Sequence, residues 1–75
     1  MCGIVGYYGP KEPKDVIVSG LKKLEYRGYD SAGVAILDHG TFKLVRASGK
    51  LTELQKKLET ETFDGHIGIG HTRWA

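Results

Sequence analysis

The sequence predicts an α+β domain whose elements follow the order strand, helix, strand, strand, helix, strand. Three observations predict this order. Two segments carry leucine or isoleucine at the three- and four-residue spacing of an amphipathic helix. Four other segments are rich in β-branched and aromatic residues or alternate in polarity, as strands do. Glycine and proline residues that favour turns separate these segments.

The first strand, residues 3–9, reads GIVGYYG, and its glycines indicate backbone that another group approaches closely. A helix follows, because Pro13 suits the first helical turn. This helix carries an apolar stripe at i, i+4 and i+7, formed by Ile17, Leu21 and Leu24. It should end near Tyr26, since Gly28 follows and is a natural left-handed stop.

A β-hairpin is predicted in the middle of the chain. Residues 32–37 form a compact apolar run that is typical of a buried strand. Residues 38–40, DHG, have turn chemistry, and Gly40 is available for a positive φ. Residues 41–46 alternate and should be the return strand. On that strand Phe42 and Leu44 share one face and Lys43 lies on the other.

The second helix and the last strand complete the predicted order. The helix carries a leucine stripe formed by Leu51, Leu54 and Leu58. Thr52, with Gln55 three residues later, is interpreted as its capping box. Residues 62–65 form a turn. From residue 67 onward isoleucine alternates with glycine in a strand that runs into residues 71–75, HTRWA.

Composition and charge argue against several classes of function. The 75 residues carry 11 basic and 9 acidic side chains, and their mixture along the chain does not suit a nucleic-acid-binding surface. No apolar run approaches the ~18 residues of a membrane span, and no basic-then-apolar leader predicts secretion. The single cysteine excludes an internal disulfide and fits a cytoplasmic protein. The three histidines have no cysteine or carboxylate at metal-binding spacing, so we interpret them as structural.

Cys2 is the strongest candidate for chemistry. It is the only thiol and directly follows Met1, and cysteine is small enough for that methionine to be removed. A first-residue cysteine carries a thiol of pKa about 8.5 beside an α-amine of pKa about 7.7–8.0. One residue then supplies both a nucleophile and a base. The alternative is a small, buried residue at the start of a strand.

Two further segments are polar enough to form part of a site. Residues 27–31, RGYDS, form a glycine-bearing loop of the kind that often holds functional groups. The alternative is a connector closed by a salt bridge between Arg27 and Asp30. Arg73 ends the last strand, where its guanidinium fork suits a carboxylate or phosphate and Trp74 could wall a small-molecule pocket. The alternative there is a surface arginine stacked on a half-buried tryptophan.

Three motifs in a fixed order resemble one family. They are residues 1–6 (MCGIVG), 24–33 (LEYRGYDSAG) and 70–75 (GHTRWA). Together they resemble the N-terminal glutaminase domain of the glutamine–fructose-6-phosphate aminotransferases, or glucosamine-6-phosphate synthases. These enzymes are class II glutamine amidotransferases and N-terminal-nucleophile hydrolases. The YRGYD segment is similar to the amino-sugar enzymes, whereas the purine-pathway relatives typically carry histidine and glutamine in place of its two tyrosines.

The resemblance implies a role for each matching residue. Cys2 is the nucleophile at the processed N-terminus, and Arg27 and Gly28 shape its pocket through backbone contacts that orient the terminal amine. Arg73 binds the α-carboxylate of L-glutamine, and Trp74 lines the gate through which ammonia leaves. The thiolate attacks the side-chain amide, ammonia departs, and water hydrolyses the thioester to glutamate. In the family the ammonia reaches a sugar-isomerase portion that converts fructose 6-phosphate into glucosamine 6-phosphate.

The resemblance also implies an architecture. The complete domain is a four-layer α/β/β/α sandwich of two antiparallel sheets between helices, and residues 1–75 are its N-terminal segment. The Asn-Gly pair of the oxyanion hole and the sugar-isomerase domains lie beyond residue 75 in the family, so we expect the piece alone to be inactive. The full-length enzyme is expected to be a cytoplasmic homodimer without metal, cofactor, nucleic-acid or membrane partner. Two other functions stay open: another class II amidotransferase, and a truncated non-catalytic binding module.

Overall fold

A computed structural model describes residues 2–74 of the chain, without the side chain of Arg27. One four-stranded antiparallel sheet carries two helices, so the predicted α+β class and the predicted order of elements are confirmed. The elements in chain order are β1 (Gly3–Tyr8), α1 (Pro13–Leu24), a short 3-10 helix (Glu25–Arg27), β2 (Ser31–Asp38), β3 (Thr41–Ser48), α2 (Leu51–Glu59) and β4 (Ile67–Arg73). Neither α1 nor α2, within residues 2–74, is long and apolar enough to cross a membrane.

The sheet has the strand order β1-β4-β2-β3, so the last strand in the sequence lies between the first two. All three strand pairs are antiparallel. Gly3 pairs with Thr72 and Ser31 pairs with Arg73. The start of β1, the start of β2 and the end of β4 therefore meet at one end of the sheet.

The hydrophobic core lies between one face of the sheet and the two helices. The predicted stripes of both helices are buried there, although Leu24 is only partly buried. The fully or almost fully buried core residues are Ile17, Val18, Leu21, Ala32, Val34, Ile36, Ala47, Leu51, Leu54, Leu58 and Phe63. Lys14 links the two helices, because its ammonium donates to the carbonyl of Glu61 just beyond α2 at 2.9 Å. The opposite face of the sheet has no helix on it among the described residues.

The two predicted turns at Gly28 and Gly40 are confirmed. The α-helical part of α1 ends at Leu24, two residues before the predicted end, because the chain tightens into the 3-10 helix. Gly28 then stops that helix with a φ of 81°. In the hairpin both His39 (φ 51°) and Gly40 (φ 81°) have a positive φ, which matches the twist of the flanking strands.

The predicted capping box of α2 is wrong. The residue that caps α2 is Lys50, and its side chain makes no capping hydrogen bond. Thr52 lies inside the first turn, one residue beyond Leu51, the first residue of the helix. The hydroxyl of Tyr29, from a distant part of the chain, accepts the Leu51 N–H at 2.6 Å instead. Sequence spacing cannot indicate a cap that another segment supplies.

Strand β4 presents glycines to the helix layer and isoleucines to the open face. Gly68 and Gly70 are buried, whereas Ile67 and Ile69 are exposed. The side chain of Ile17 in α1 fills the space above both glycines. A Cβ at position 68 would lie 2.8 Å from Ile17 Cδ1, which is too close for a real contact. Helix α1 therefore packs almost directly on the backbone of β4.

We expect Gly70→Ala to destabilise the packing of α1 on β4 by about 1–3 kcal/mol, because the new methyl group would collide with Ile17. In an Ile17→Ala background, which removes the opposing methyl group, the same change should cost less. Hydrogen exchange of the β4 amides in the full-length protein measures both effects. An equal loss of protection in the two backgrounds would contradict this contact.

Candidate functional site

Four of the five predicted site residues lie together at the end of the sheet where β1 begins and β4 ends. Cys2 directly precedes β1, and its Sγ lies 4.0 Å from the carbonyl oxygen of Trp74. Gly28 faces the ring of the same tryptophan, since a Cβ added to it would lie 3.9 Å from two ring carbons. Arg73 ends β4. The fifth residue, Arg27, has a side chain that lies outside the described part of the structure, as does Met1.

The Cys2 thiol is free and exposed. Within residues 2–74 this cysteine is therefore not buried, whereas the alternative interpretation expects it to be. An exposed thiol at the end of a strand can be reached by a small molecule and by water, which a nucleophile requires.

Arg73 lies beside a shallow cavity of about 250 Å³ that is rich in cationic groups. The cavity is lined by Ser31, Ala32, Arg46, Ala47, Ser48, Lys57, His71 and Arg73. None of these described lining residues is acidic. Such a surface attracts an anion, and the guanidinium of Arg73 offers two parallel N–H donors to a carboxylate. Arg46 and His71 were not predicted as neighbours of Arg73, although the register of the predicted hairpin could have located Arg46 on the strand beside it.

The loop that carries Gly28 is tied down on both sides. The backbone N–H of Gly28 donates to the Glu25 carbonyl at 3.1 Å, and that of Asp30 donates to the Arg73 carbonyl at 2.7 Å. The Asp30 carbonyl in turn accepts the N–H of Gly49 at 2.9 Å. The bond between Asp30 and Arg73 connects the loop directly to the end of β4. The predicted salt bridge between Arg27 and Asp30 lies outside the described side chains.

Tyr29 holds the same loop through its side chain. Its hydroxyl donates to Glu25 Oε2 at 2.8 Å and accepts the Leu51 N–H at 2.6 Å. Burial and the hydrogen bond to Glu25 raise the pKa of Tyr29 above its ordinary value, although the Leu51 bond opposes this shift. The hydroxyl is therefore protonated at neutral pH and can keep donating.

A second cluster of charged groups lies at the opposite end of the sheet, around the β2–β3 turn. Asp38, His39 and Asp64 bring potential metal-ligand atoms within 4.8 Å of one another. Positive partners already occupy these carboxylates, since Lys43 Nζ lies 3.1 Å from Asp38 Oδ2 and His39 Nε2 lies 2.8 Å from Asp64 Oδ2. The arrangement is thus an ion-pair network. Spacing along the sequence does not reveal this carboxylate partner of His39, because only folding brings Asp64 to it.

This network shifts two pKa values. Burial favours the neutral form of Asp38, but the hydrogen bonds from Lys43 and from the Asp64 backbone outweigh it, so the pKa of Asp38 is lowered. The hydrogen bond to Asp64, followed by the charge of Asp38, raises the pKa of His39. Stabilisation from Asp38 is present above its unfolded pKa and is lost as the pH falls through the folded value. Stabilisation from His39 is complete below about pH 6.5 and is lost as the pH rises through the folded value.

Known proteins similar in sequence to this chain match it over all 75 residues. No protein-family model matches it. The chain is 60% identical to the glutamine–fructose-6-phosphate aminotransferase [isomerizing] of Clostridium acetobutylicum, and 59% identical to those of Pyrococcus horikoshii and Mesorhizobium japonicum. Each match covers all of this chain but only 12% of the relative, so the chain spans about an eighth of the relatives' length. The family resemblance inferred from the three motifs is confirmed, and these relatives carry the name of an enzyme.

The imidazole of His39 should titrate above the ordinary histidine value of about 6.5, because Asp64 and Asp38 favour its charged form. An Asp64→Asn variant should move the titration midpoint back toward that value. The histidine NMR signals of the full-length protein, followed against pH, measure the midpoint. His39→Asn identifies the resonance, since asparagine tolerates the positive φ of this position. A midpoint that Asp64→Asn leaves unchanged would contradict the ion pair.

Proposed function

We propose that this chain is the N-terminal segment of the glutaminase domain of a glutamine–fructose-6-phosphate aminotransferase. All 75 of its residues align with such enzymes. The proposed reaction hydrolyses L-glutamine to glutamate and ammonia, and the ammonia converts fructose 6-phosphate into glucosamine 6-phosphate. One observation carries the proposal. Cys2, Gly28 and the pair Arg73–Trp74 come from three distant parts of the sequence and lie side by side.

Cys2 supplies the nucleophile. After removal of Met1 its α-amine takes the thiol proton, and the thiolate attacks the carbonyl carbon of the glutamine side-chain amide. The tetrahedral intermediate expels ammonia, which takes the proton from the amine, and leaves a thioester. Water then attacks the thioester with the amine as base, and glutamate is released. Arg27 and Gly28 orient the amine through their backbone groups.

Arg73 anchors the substrate in this proposal. Its guanidinium binds the α-carboxylate of glutamine in bidentate fashion, and the neighbouring Arg46 and Lys57 add positive potential to the same cavity. Trp74 lies at the mouth of the site with more than half of its side chain exposed. From that position its ring can line the gate through which ammonia leaves.

The remaining parts of the reaction need residues that this chain does not contain. The 75 residues include no asparagine, so the Asn-Gly pair expected at the oxyanion hole is absent from them. Each oxyanion donor contributes about 3–4 kcal/mol to catalysis, so the segment by itself is proposed to be inactive. The sugar-isomerase domains of the full-length chain, a homodimeric state and a cytoplasmic location belong to the same proposal.

The open face of the sheet supports the proposed N-terminal-nucleophile sandwich. Large apolar side chains on this face are exposed, among them Ile4 at 77% and Phe42 at 60%. Both helices lie on the other face, so residues 2–74 form one helix layer on one sheet and leave the second face of that sheet uncovered. We assign the open face to contact with that second sheet, formed by later residues of the full-length domain.

Only protein from which Met1 has been removed should hydrolyse glutamine, because a residue before Cys2 turns the α-amine into an amide that accepts no proton at neutral pH. Inhibiting methionine aminopeptidase during expression of the full-length protein gives the retained form. Intact-mass analysis and glutamate release are measured on both forms, with Cys2→Ala as the blank. Full activity with Met1 retained, or unchanged activity in Cys2→Ala, would overturn the proposed mechanism and favour a binding module.

Arg73→Ala should lower kcat/KM for glutamine by two or more orders of magnitude, since an unmatched carboxylate in a bidentate site costs about 3–5 kcal/mol. Sugar isomerisation without ammonia should survive. Arg46→Ala removes the same charge from the same cavity and should have a much smaller effect. With 4-aminobutanamide, which lacks the α-carboxylate, the penalty of Arg73→Ala should largely vanish. Equal effects of the two arginine variants would contradict the anchoring role.

A further inference from the structure

We infer that Tyr29 is a positioning residue of this site, whose hydroxyl fixes the Gly28 loop against the start of helix α2. The inference rests on the proposed glutaminase function and deepens it. It assigns to Tyr29 no contact with substrate. Its effect passes through the two residues beside it in the chain, Gly28 and Asp30.

The hydroxyl of Tyr29 makes two hydrogen bonds, one as donor and one as acceptor. It donates to Glu25 Oε2 at 2.8 Å and accepts the N–H of Leu51 at 2.6 Å. Leu51 is the first residue of α2 and is almost completely buried, and the cap residue Lys50 offers no side-chain acceptor. The tyrosine hydroxyl therefore satisfies a helix N–H that would otherwise stay unpaired near the core.

The side-chain bonds of Tyr29 add to the backbone hydrogen bonds of this loop, which contains a glycine in an uncommon conformation. Gly28 has a φ of 81° and a ψ of 144°, and glycine populates many other conformations at little cost. One side-chain hydrogen bond of Tyr29, to Glu25, closes residues 25–29 into a loop. The other, from the Leu51 N–H, ties this loop to α2. Removing the hydroxyl releases both restraints at once.

Both site elements depend on the restrained segment. On one side of Tyr29, Gly28 lies against the ring of Trp74. On the other side, Asp30 donates its N–H to the Arg73 carbonyl and accepts the N–H of Gly49. A shift of the loop thus moves the backbone that lies against Trp74 and the strand end that carries Arg73. Displacements of about 1 Å in such groups are enough to reduce catalysis strongly.

The matched control is Tyr26, in the same motif. It is 86% exposed, and its hydroxyl has no hydrogen-bond partner among the described residues. Tyr26→Phe and Tyr29→Phe remove the same oxygen atom three residues apart. In the full-length protein Tyr29→Phe should lower kcat/KM for glutamine about five- to thirtyfold, mainly through kcat, whereas Tyr26→Phe should leave both constants unchanged.

Two variants of Glu25, which accepts the hydrogen bond of Tyr29, separate an effect on positioning from an effect on stability. Glu25→Gln keeps an acceptor oxygen for the Tyr29 hydroxyl and should retain most of the activity, whereas Glu25→Ala should reduce kcat. The double variant Tyr29→Phe/Glu25→Ala should be less impaired than the two single effects combined, because the two residues share one bond. All variants are assayed at a temperature at which circular dichroism shows them folded, and sugar isomerisation is measured in parallel.

The outcomes distinguish this inference from the proposed function. If Cys2→Ala abolishes glutamine hydrolysis and Tyr29→Phe has the same kcat and KM as Tyr26→Phe, the positioning role is wrong and the glutaminase proposal stands. A Tyr29→Phe variant that only unfolds at a lower temperature, with unchanged constants, also overturns it. If Cys2→Ala leaves hydrolysis unchanged, the proposed function itself fails.

Discussion

The packing of α1 on the glycine face of β4 is the constraint on which the rest of the fold depends. Because Gly68 and Gly70 carry no side chains, Ile17 fills the space above them, and the helix comes close to the centre of the sheet. Below the helix, antiparallel pairing with both neighbours holds β4 between β1 and β2. The position of β4 in turn brings Arg73 and Trp74 to the end of the sheet at which Cys2 lies. The glycines thus let the helix layer pack closely on the strand whose end carries Arg73 and Trp74.

The sequence predicts the elements of this fold well because each has a local cause. The stripes of both helices, the Asp-His-Gly turn and the stop at Gly28 follow from spacing and from backbone preferences of single residues. The strand order does not follow from them, since the pairing of Gly3 with Thr72 joins residues at opposite ends of the chain. Likewise, the cap of α2 was assigned to Thr52 because local spacing cannot reveal a tyrosine hydroxyl that arrives from another segment.

The candidate site likewise combines features that the local sequence predicts with contacts that only the folded chain shows. Its residues were recognised from the three motifs together, since the chemistry of Cys2 and Arg73 taken alone left structural alternatives open for both. Their surroundings could not be predicted, because the cationic cavity joins side chains from β3, α2 and β4. Gly33 illustrates the point. A Cβ at Gly33 would lie 2.8 Å from His71 Nε2 and 3.1 Å from Arg46 Cγ, so the absence of a side chain there lets these two side chains share the cavity.

The open face of the sheet changes character along its strands, and this gradient connects the fold with the proposed function. On β4 the outward residues run from isoleucine to His71 and Arg73, and on β3 they run from Phe42 and Leu44 to Arg46. On both strands the outward side chains change from apolar to basic or histidine at the level of Gly33. That residue pairs with Arg46 on β3 and with His71 on β4. A second sheet would therefore bury the apolar half of the face at a gain of about 25 cal/mol per Å². It would gain nothing by burying the cations without partners, because unpaired charges resist desolvation. The apolar half of β3 and β4 thus favours a covering layer, whereas their basic half, which lies at the Cys2 end of the sheet, favours contact with solvent or with an anion.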